Sequence, residues 1–460
     1  MSECFVYITL PGQEEAVTAG RFELDAGRDG VPVGRFVYGR RYLERDDAVE
    51  FDPVELRLGE REYRTTHHKG VFGVLRDAGP DYWGRLVIER HAGRPPTDEL
   101  GYLLESADDR AGALGFGLGV QPPAPRREYN QTLALAKLQQ IAEALLDEAA
   151  GANVTAMQVA ELMRAGTSMG GARPKVVVED EGALWLAKFN LKDDRWNMAR
   201  VEHAMLRLAV RCGLDVAQSK VVSVGGRDVL LVRRFDRDKA ERGYFRHRMV
   251  SGLSLLRADE GYQERPRWSY LLLAEEVRRA CLEAEKDVQE LFRRMCFNAL
   301  ISNNDDHPRN HALLARARHW QLAPAYDLTP NPQVSIERRD LALTVGDFGR
   351  AATAPNLLSQ ATRFGLRPGD AAALVEAMHE TVQTQWFDRP WPKSVDLTSP
   401  PHHREAARCG SRRQIPGFGS PSRPGPPGRT TCRCCGASSP ATAHSSSDAL
   451  PADATSGVRT

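Results

Sequence analysis

Hydrophobic and polar positions alternate along the first 125 residues, in short runs separated by glycine-containing turns. The runs "CFVYITL", "GRFELDA" and "GRFVYGRRYL" carry β-branched and aromatic residues, which is typical of half-buried strands. The stretch "GPDYWGRLVIERHAG" is predicted to be a short helix, and "QPPAPRREY", which begins at Gln121, is a proline-rich joint. The pattern therefore predicts a strand-rich first domain that ends at this joint.

The middle of the chain mixes both periods. Apolar residues at helical spacing predict a helix over about residues 132–148 and another over about residues 197–212. The runs "PKVVVED" and "GALWLAKFN", joined by a Glu-Gly turn, read as two strands, and a second hairpin turns at Gly225 and Gly226. After the first helix, the predicted order is strand, strand, helix, strand, strand.

From about Ser269 onwards the chain is predicted to be mainly helical. The segment "DVQELFRRMCFNAL" opens with Asp287 and has Glu290 three residues later, which is a capping-box signature. A last helix is predicted over about residues 368–381. Three cysteines within helix-like stretches are interpreted as buried thiols: Cys212, Cys281 and Cys296.

The composition changes after about Asp396. The final stretch is rich in proline, serine and glycine and has too few apolar residues to form a core, so we expect a disordered tail. A shifted reading frame would also produce such a tail. Its "CRCC" run, Cys432 to Cys435, lacks the two-residue gap of zinc ligand pairs.

Overall composition narrows the class of protein. The chain has 460 residues, 27% charged and 42% hydrophobic, with a formal net charge of +1, which is typical of a globular protein rather than a nucleic-acid or membrane binder. No apolar run is long enough to span a membrane, and the first residues lack the pattern of a signal peptide. The eight cysteines show no repeated spacing that would indicate disulfides. Together these features predict a cytoplasmic protein without membrane contact.

The stretch "LISNNDDHPRNHALL", Leu300 to Leu314, is the strongest candidate for chemistry. Kinase-type phosphoryl-transfer sites place an Asp base five residues before an Asn that binds a metal ion. Asp305 has this spacing to Asn310, whereas Asp306 is one residue too close. The spacing favours Asp305 as the base, although a solvated polar turn would have the same composition.

A kinase site also needs a second metal ligand. The runs "HALLARA" and "HWQLAPAY" are predicted to form a hairpin that returns Asp327 to the side of Asn310, where two oxygen ligands would suit Mg²⁺. The alternative role for Asp327 is a simple cap or turn. Asp347, in a literal "DFG" triplet, is a weaker candidate for the same ligand.

Two further features are typical of nucleotide binding. The glycine-rich segment "GTSMGGARPK", which ends at Lys175, could bring backbone N–H groups close to phosphate oxygens, or could be an ordinary turn. Lys188 lies on a predicted strand, and Glu202 lies on the helix that follows, so the two could pair as in kinases. A lysine on an edge strand is the simpler alternative.

Taken in order, these features resemble the HipA-like serine/threonine kinases of bacterial toxin–antitoxin systems. The resemblance covers about residues 1–390 and rests on "GPDYWGR", "DDRAGALGFG", "SMGGARPK", "WLAKFN", "LVRRFDR", "FNALISNNDDHPRNHALL" and "LAPAYDLTP". It implies an α+β, two-lobed protein-kinase-like fold. The implied parts are a β-rich N-terminal subdomain (1–125), a kinase-like N-lobe (126–240), a helical C-lobe (241–395) and the tail (396–460).

The resemblance also implies roles for individual residues. Asp305 looks like the catalytic base, Asn310 and Asp327 look like Mg²⁺ ligands, and His307 looks like a nucleotide neighbour. The implied ATP-binding residues are Ser168, Met169, Gly170, Gly171, Ala172, Lys175, Lys188, and the backbone of Arg233 and Phe235, with Glu202 in support. Ser168 matches the serine that such kinases autophosphorylate, an event that would silence the enzyme.

The expected function is an ATP- and Mg²⁺-dependent protein serine/threonine kinase that inhibits growth. The family implies a protein substrate in the translation machinery, such as an aminoacyl-tRNA synthetase, and a HipB-like helix-turn-helix antitoxin as partner, through which DNA is contacted only indirectly. Two alternatives stay open: a catalytically impaired co-repressor bound to the antitoxin, and a kinase of small molecules or lipids.

Overall fold

The alternating N-terminal runs form one antiparallel sheet with the strand order β4-β3-β2-β1-β5. The computed structural model describes residues 2–27, 29–147, 154–166, 171, 173–331 and 339–385. The five strands are β1 (Ser2–Thr9), β2 (Ala16–Asp25), β3 (Val33–Tyr38), β4 (Tyr63–Thr65) and β5 (Leu114–Gly117). The prediction that "GRFVYGRRYL" is a strand throughout is wrong beyond Tyr38, because Gly39 turns the chain into a short helix.

Four helices lie in the same N-terminal stretch of the chain: α1 (Arg40–Leu43), α2 (Gly73–Asp77), α3 (Tyr82–Ala92) and α4 (Glu99–Glu105). The predicted helix in "GPDYWGRLVIERHAG" is α3. Asp81 begins it, because its side chain accepts a hydrogen bond from Gly84 N–H at 3.1 Å. Asp98 begins α4 in the same way, accepting from Gly101 N–H at 2.8 Å.

A second sheet has the order β6-β7-β8-β10-β9, with helices packed against it. Its strands are β6 (Asn130–Gln131), β7 (Lys175–Asp180), β8 (Ala183–Phe189), β9 (Ser219–Val224) and β10 (Arg227–Arg233). Its helices are α5 (Leu135–Leu146), α6 (Ala156–Ala165) and α7 (Met198–Arg211). Both predicted hairpins are confirmed, and Gly225 and Gly226 have φ of 59° and 80°, as a type I′ turn requires.

The two faces of this sheet have different neighbours. Alternate residues such as Val176, Ala187 and Leu231 pack with α5 and α6, whereas Leu230 and Val232 pack with α7. Because side chains alternate along a strand, Lys188 lies on the opposite face from Ala187, which is the face that α7 covers. The sheet therefore carries the lysine towards Glu202.

The remaining elements are mainly helical, with two small sheets of order β11-β12 and β13-β14-β15. The strands are β11 (Arg237–Lys239), β12 (Tyr244–Arg246), β13 (Arg248–Ser251), β14 (Ala312–Ala315) and β15 (Gln321–Leu322). The helices are α8 (Gly252–Leu255), α9 (Tyr270–Ala280), α10 (Ala284–Ile301), α11 (Ala354–Ser359) and α12 (Pro368–Gln385). The predicted hairpin after Asn310 is β14 and β15, and β13 adds a third strand to it.

Helix α10 crosses the centre of the core. All five residues from Phe297 to Ile301 are buried, as are Cys281 and Cys296, while Cys212 is half-buried. The predicted capping box is wrong: α10 begins after Glu283, without a side-chain cap, and Asp287 lies inside its first turn. In the part of the chain that the structure describes, we find no helix long and apolar enough to cross a membrane.

Candidate active site

Lys188 is paired with two carboxylates. Its Nζ lies 2.7 Å from Oε1 of Glu202, on α7, and 2.8 Å from Oδ1 of Asp327, which follows β15. Burial disfavours the Lys188 ammonium, but the two carboxylates outweigh burial and raise its pKa. Lys188 is therefore charged, and it connects the second sheet to the loop that follows β15.

Asp327 is held in an unusual backbone conformation. Its φ is 60°, in the left-handed region that aspartate tolerates better than most residues. Immediately before it, the Tyr326 hydroxyl donates to the Arg309 carbonyl at 2.6 Å. This bond ties the loop of Asp327 to the turn that ends at Asn310, as expected from the hairpin between them. The ammonium of Lys188 lowers the pKa of Asp327.

The two adjacent aspartates have opposite environments. Asp305 is exposed, whereas Asp306 is 1% exposed, with its carboxylate accepting from the Tyr270 hydroxyl and lying 3.0 Å from Nε2 of His311. Partial burial raises the pKa of Asp305, and the negative charges of Asp327 and Asp306 act in the same direction. Asp305 is thus the accessible carboxylate of the pair, and Asp306 anchors the loop in the core.

The loop that contains Asp305 and Asp306 follows directly from the end of α10. Helix α10 ends at Ser302, whose φ of 61° reverses the chain, and the Asn303 side chain donates to Oδ1 of Asn298 at 3.0 Å. Asn310 donates weakly to the Asp305 carbonyl at 3.4 Å. The sequence-predicted pair of Asp305 and Asn310 therefore lies within one hydrogen-bonded turn.

His307 packs beside the same turn. Its ring contacts the Trp268 ring edge-on, with centroids 4.3 Å apart, and its Nδ1 accepts from Arg309 N–H at 3.2 Å. Burial lowers the pKa of His307 to about 4, and the Arg309 charge contributes. His307 is therefore neutral at physiological pH and supports the loop. Whether it also neighbours a nucleotide remains a prediction.

The glycine-rich segment is described only in part. Ser168, Met169, Gly170 and Ala172 lie outside the described residues. Gly171 has a φ of 113° and lies against Lys175, whose Nζ would be 2.5 Å from a Cβ at this glycine. Lys175 is buried at the start of β7, directly opposite Lys188 in the strand register, so the two lysines share one face of the sheet.

The backbone groups implied to bind ATP lie at the end of β10, at Arg233, and in the segment before β11, at Phe235. Arg233 N–H donates to the Gln218 carbonyl at 2.8 Å, so this donor is already used. Phe235 packs against Tyr326 with ring centroids 5.6 Å apart, which places it beside the Asp327 loop. Between them, the fully buried Arg234 donates to Asp109 and, at 2.8 Å, to Oδ2 of Asp236.

Asp347 lies in a separate turn. Its N–H donates to the Ser359 hydroxyl at 3.0 Å, and Gln360 donates to its carboxylate at 2.6 Å. These contacts explain the "DFG" triplet as a tight turn against α11. Among the described residues, no cluster of three or more His, Cys, Asp or Glu side chains is arranged to hold a metal ion. Asp327 and Asn310, the predicted ligands, each carry a side-chain oxygen of the hard type that Mg²⁺ prefers.

Two N-terminal residues, which the sequence did not single out, contact residues of the candidate site. Asp81 pairs with Lys175, and Asp109 pairs with Arg234. Both lie in motifs that carried the family resemblance, "GPDYWGR" and "DDRAGALGFG". In each motif an aspartate is followed a few residues later by a glycine, and this pattern could have indicated a functional residue. The sequence does not show which distant cation each aspartate contacts.

The fold and these residues define a protein of the two-lobed, kinase-like class. A family model described as "HipA N-terminal domain" matches residues 15–117, and one described as "HipA-like C-terminal domain" matches residues 167–386. The chain belongs to the HipA-like family. Its fold is also that of HipA in the structure titled "Shewanella oneidensis MR-1 Toxin Antitoxin System HipA, HipB and its operator DNA complex", with a TM-score of 0.62. That match has 15% identity and covers 89% of this chain and 95% of the other.

Two curated relatives are similar in sequence. A "Putative kinase" of Haemophilus influenzae is 26% identical over 190 residues, which is 37% of this chain and 55% of that protein. "Putative kinase Y4mE" of Sinorhizobium fredii is 26% identical over 330 residues, which is 67% of this chain and 74% of that protein. The match thus spans little more than half the length of the Haemophilus relative.

Proposed function

We propose that this protein is an ATP-dependent kinase that phosphorylates serine or threonine hydroxyls of a protein. The observation that carries the proposal is the Lys188 ammonium, held between Glu202 and Asp327, with the exposed Asp305 on the adjoining loop. A paired strand lysine and an accessible carboxylate are two of the groups that kinase-type phosphoryl transfer uses. The two relatives described as kinases support the same class of reaction.

In this proposal Lys188 and Lys175 bind phosphate oxygens of ATP, and Glu202 orients Lys188. Asp305 accepts the proton of the acceptor hydroxyl as its oxygen attacks the γ-phosphorus, and the bond from that phosphorus to the bridging oxygen of ADP breaks. Asn310 and Asp327 would hold Mg²⁺, which offsets the negative charge of the phosphates when bound.

Other backbone and loop groups would complete the nucleotide site. Backbone groups of Arg233 and Phe235 would contact adenine. For Phe235 N–H we find no hydrogen-bond acceptor in the described part of the chain. The loop that contains Ser168 would cover the phosphates. Phosphorylation of Ser168 would then put a dianion where ATP phosphates bind, which would inhibit the enzyme.

A HipB-like helix-turn-helix protein is the partner we propose. The supporting observation is that the Shewanella protein with the same fold is titled as a complex of HipA, HipB and operator DNA. The only support for a co-repressor without catalysis is this proposed partner. The only support for a kinase of small molecules or lipids is the pair of Lys188 and Asp305, which does not depend on the kind of substrate. The proposed protein substrate is a component of the translation machinery.

The test is phosphate transfer by the purified full-length chain. Wild type should incorporate labelled phosphate from ATP with Mg²⁺, and mass spectrometry should find phosphate on Ser168. Asp305→Asn should remove this phosphate, whereas Asp347→Asn, in the turn against α11, should not. A wild-type protein that binds no nucleotide and incorporates no phosphate would rule the proposal out. Binding of a helix-turn-helix partner without phosphate transfer would favour the co-repressor.

A further inference from the structure

Asp81 makes a buried contact with the start of the nucleotide-binding sheet. It is the residue before α3, in the N-terminal part of the chain, and its Oδ2 lies 3.4 Å from Nζ of Lys175 on β7. The side chains are 9% and 5% exposed, so water does little to screen the attraction between them. Its other oxygen, Oδ1, accepts from Gly84 N–H and fixes the carboxylate in place.

The first turn of α3 also holds the backbone of Lys175. Trp83 Nε1 donates to the Lys175 carbonyl at 3.1 Å, and the indole is 2% exposed within the core shared by α3, α5, α6 and the sheet. Lys175 is thus bound through both its side chain and its main chain by two neighbouring residues. This fixes the lysine more firmly than a single surface ion pair would.

Lys175 needs a counter-charge at this position. It lies directly opposite Lys188 in the antiparallel pair of β7 and β8, and like charges in opposed positions destabilise a sheet. Lys188 has Glu202 and Asp327, whereas Lys175 has Asp81. These carboxylates offset the repulsion between the two ammonium groups, so both lysines can lie on one face of the sheet, where each can donate to a phosphate oxygen.

Gly171 connects this pair to the glycine-rich segment. A Cβ at residue 171 would lie 2.5 Å from Nζ of Lys175 and 4.0 Å from Oδ2 of Asp81. Gly171 thus lies directly against the Lys175 ammonium, and a side chain at residue 171 would displace that ammonium.

We propose that Asp81 is a positioning residue for nucleotide binding, through which the N-terminal part of the chain completes the phosphate-binding surface by holding Lys175 beneath Gly171 and beside Lys188. This inference rests on the proposed kinase function, because it assigns the bound group as the phosphates of ATP. Asp81 itself does not contact the nucleotide.

The experiment measures ATP affinity of the full-length chain by calorimetry, separately from phosphate transfer. Asp81→Asn keeps the helix cap but removes the charge, and should weaken ATP binding about tenfold while the turnover rate at saturating ATP changes little. Lys175→Met should weaken binding equally, the double variant should lose no more than either single one, and Asp81→Glu should restore part of the affinity.

Asp98→Asn is the matched control, since Asp98 caps the next helix in the same manner but meets Ser2 instead of a lysine. It should leave ATP affinity within about twofold of wild type. If Asp81→Asn fails to fold, the double variant with Lys175→Met is used in its place, because it leaves no unpaired charge. Its ATP affinity is then compared with that of Lys175→Met and should equal it.

Two results would overturn the inference. The first is Asp81→Asn with wild-type ATP affinity while Lys175→Met is weakened. The second is independent, additive losses in the double variant, which would mean the two residues do not act together. A wild-type protein that binds ATP but transfers no phosphate would contradict the proposed kinase function. The inference about Asp81 would still be tested in that case, because it is measured by ATP affinity alone.

Discussion

Nζ of Lys188 and Oδ1 of Asp327 lie 2.8 Å apart, although 139 residues separate them along the chain. The contact joins a strand of the second sheet to the loop after the C-terminal hairpin. In the proposed kinase, a nucleotide lying between these two elements would meet a cation on one side and a metal-binding carboxylate on the other.

Replacement of Lys188 is expected to remove nucleotide binding. Lys188→Met leaves the carboxylates of Glu202 and Asp327 without their cation, and the ATP dissociation constant should rise at least tenfold. Lys192→Met is the control, because that lysine pairs with Asp147 at the surface. Equal ATP affinity in both variants, measured by calorimetry, would contradict the role of Lys188.

Adjacent aspartates are expected to give different phenotypes. Asp305→Asn should reduce phosphate transfer by about 10²- to 10⁴-fold while the melting temperature stays near wild type. Asp306→Asn should keep transfer in the folded protein but lower the free energy of unfolding by about 1–3 kcal/mol, since Asp306 is buried against Tyr270 and His311. Transfer assays and thermal melts on both variants test this, and the reverse pattern would assign the base to Asp306.

The buried pair of Asp109 and Arg234 is expected to be important for stability. Asp109→Asn leaves a fully buried guanidinium short of one charge and should lower the free energy of unfolding by about 3 kcal/mol in urea denaturation. Asp108→Asn is the control: that side chain is 37% exposed, and its pair with Arg246 should contribute less than about 1 kcal/mol. Similar losses in the two variants would mean that burial is not the cause.

Glu55 is expected to make stability depend on pH. Burial, with help from the Asp52 charge, raises the pKa of Glu55 from 4.5 to about 7. Between these values the folded protein binds more protons than the unfolded one, so the free energy of unfolding falls as pH rises from about 4.5 to about 7. The fall is up to roughly 3 kcal/mol by linkage, less where water reaches the group.

Glu55→Gln removes this proton uptake and tests the assignment. The variant should be more stable than wild type at pH 8 and similar to it at pH 5, because the amide can still accept from Gly73 N–H as the carboxylate does. Denaturant titrations at the two pH values make the comparison. A variant that is equally destabilised at both would show that the carboxylate is needed in its ionised form.

Much of the fold could be predicted from the sequence. The pattern of apolar positions predicted β1 to β3 and β7 to β10 but missed the short strands β4, β5 and β6. The glycine pair at Gly225 and Gly226 predicted the turn, because only a few residues tolerate positive φ. The predicted capping box at Asp287 is wrong, since α10 begins three residues earlier, at Ala284, and Asp287 is buried inside its first turn. Helix ends depend on what the helix packs against as well as on the capping residue.

For the candidate site, the sequence by itself determined which residue types stand at which spacing: a strand lysine, a helix glutamate and an aspartate five residues before an asparagine. The tertiary structure decided which way each one points. It buried Asp306 and exposed Asp305, and it brought Asp81 to Lys175 and Asp109 to Arg234, pairs that are 94 and 125 residues apart. Local patterns specify faces and turns, but pairing between distant charges is fixed only when the packed core brings them together and excludes water.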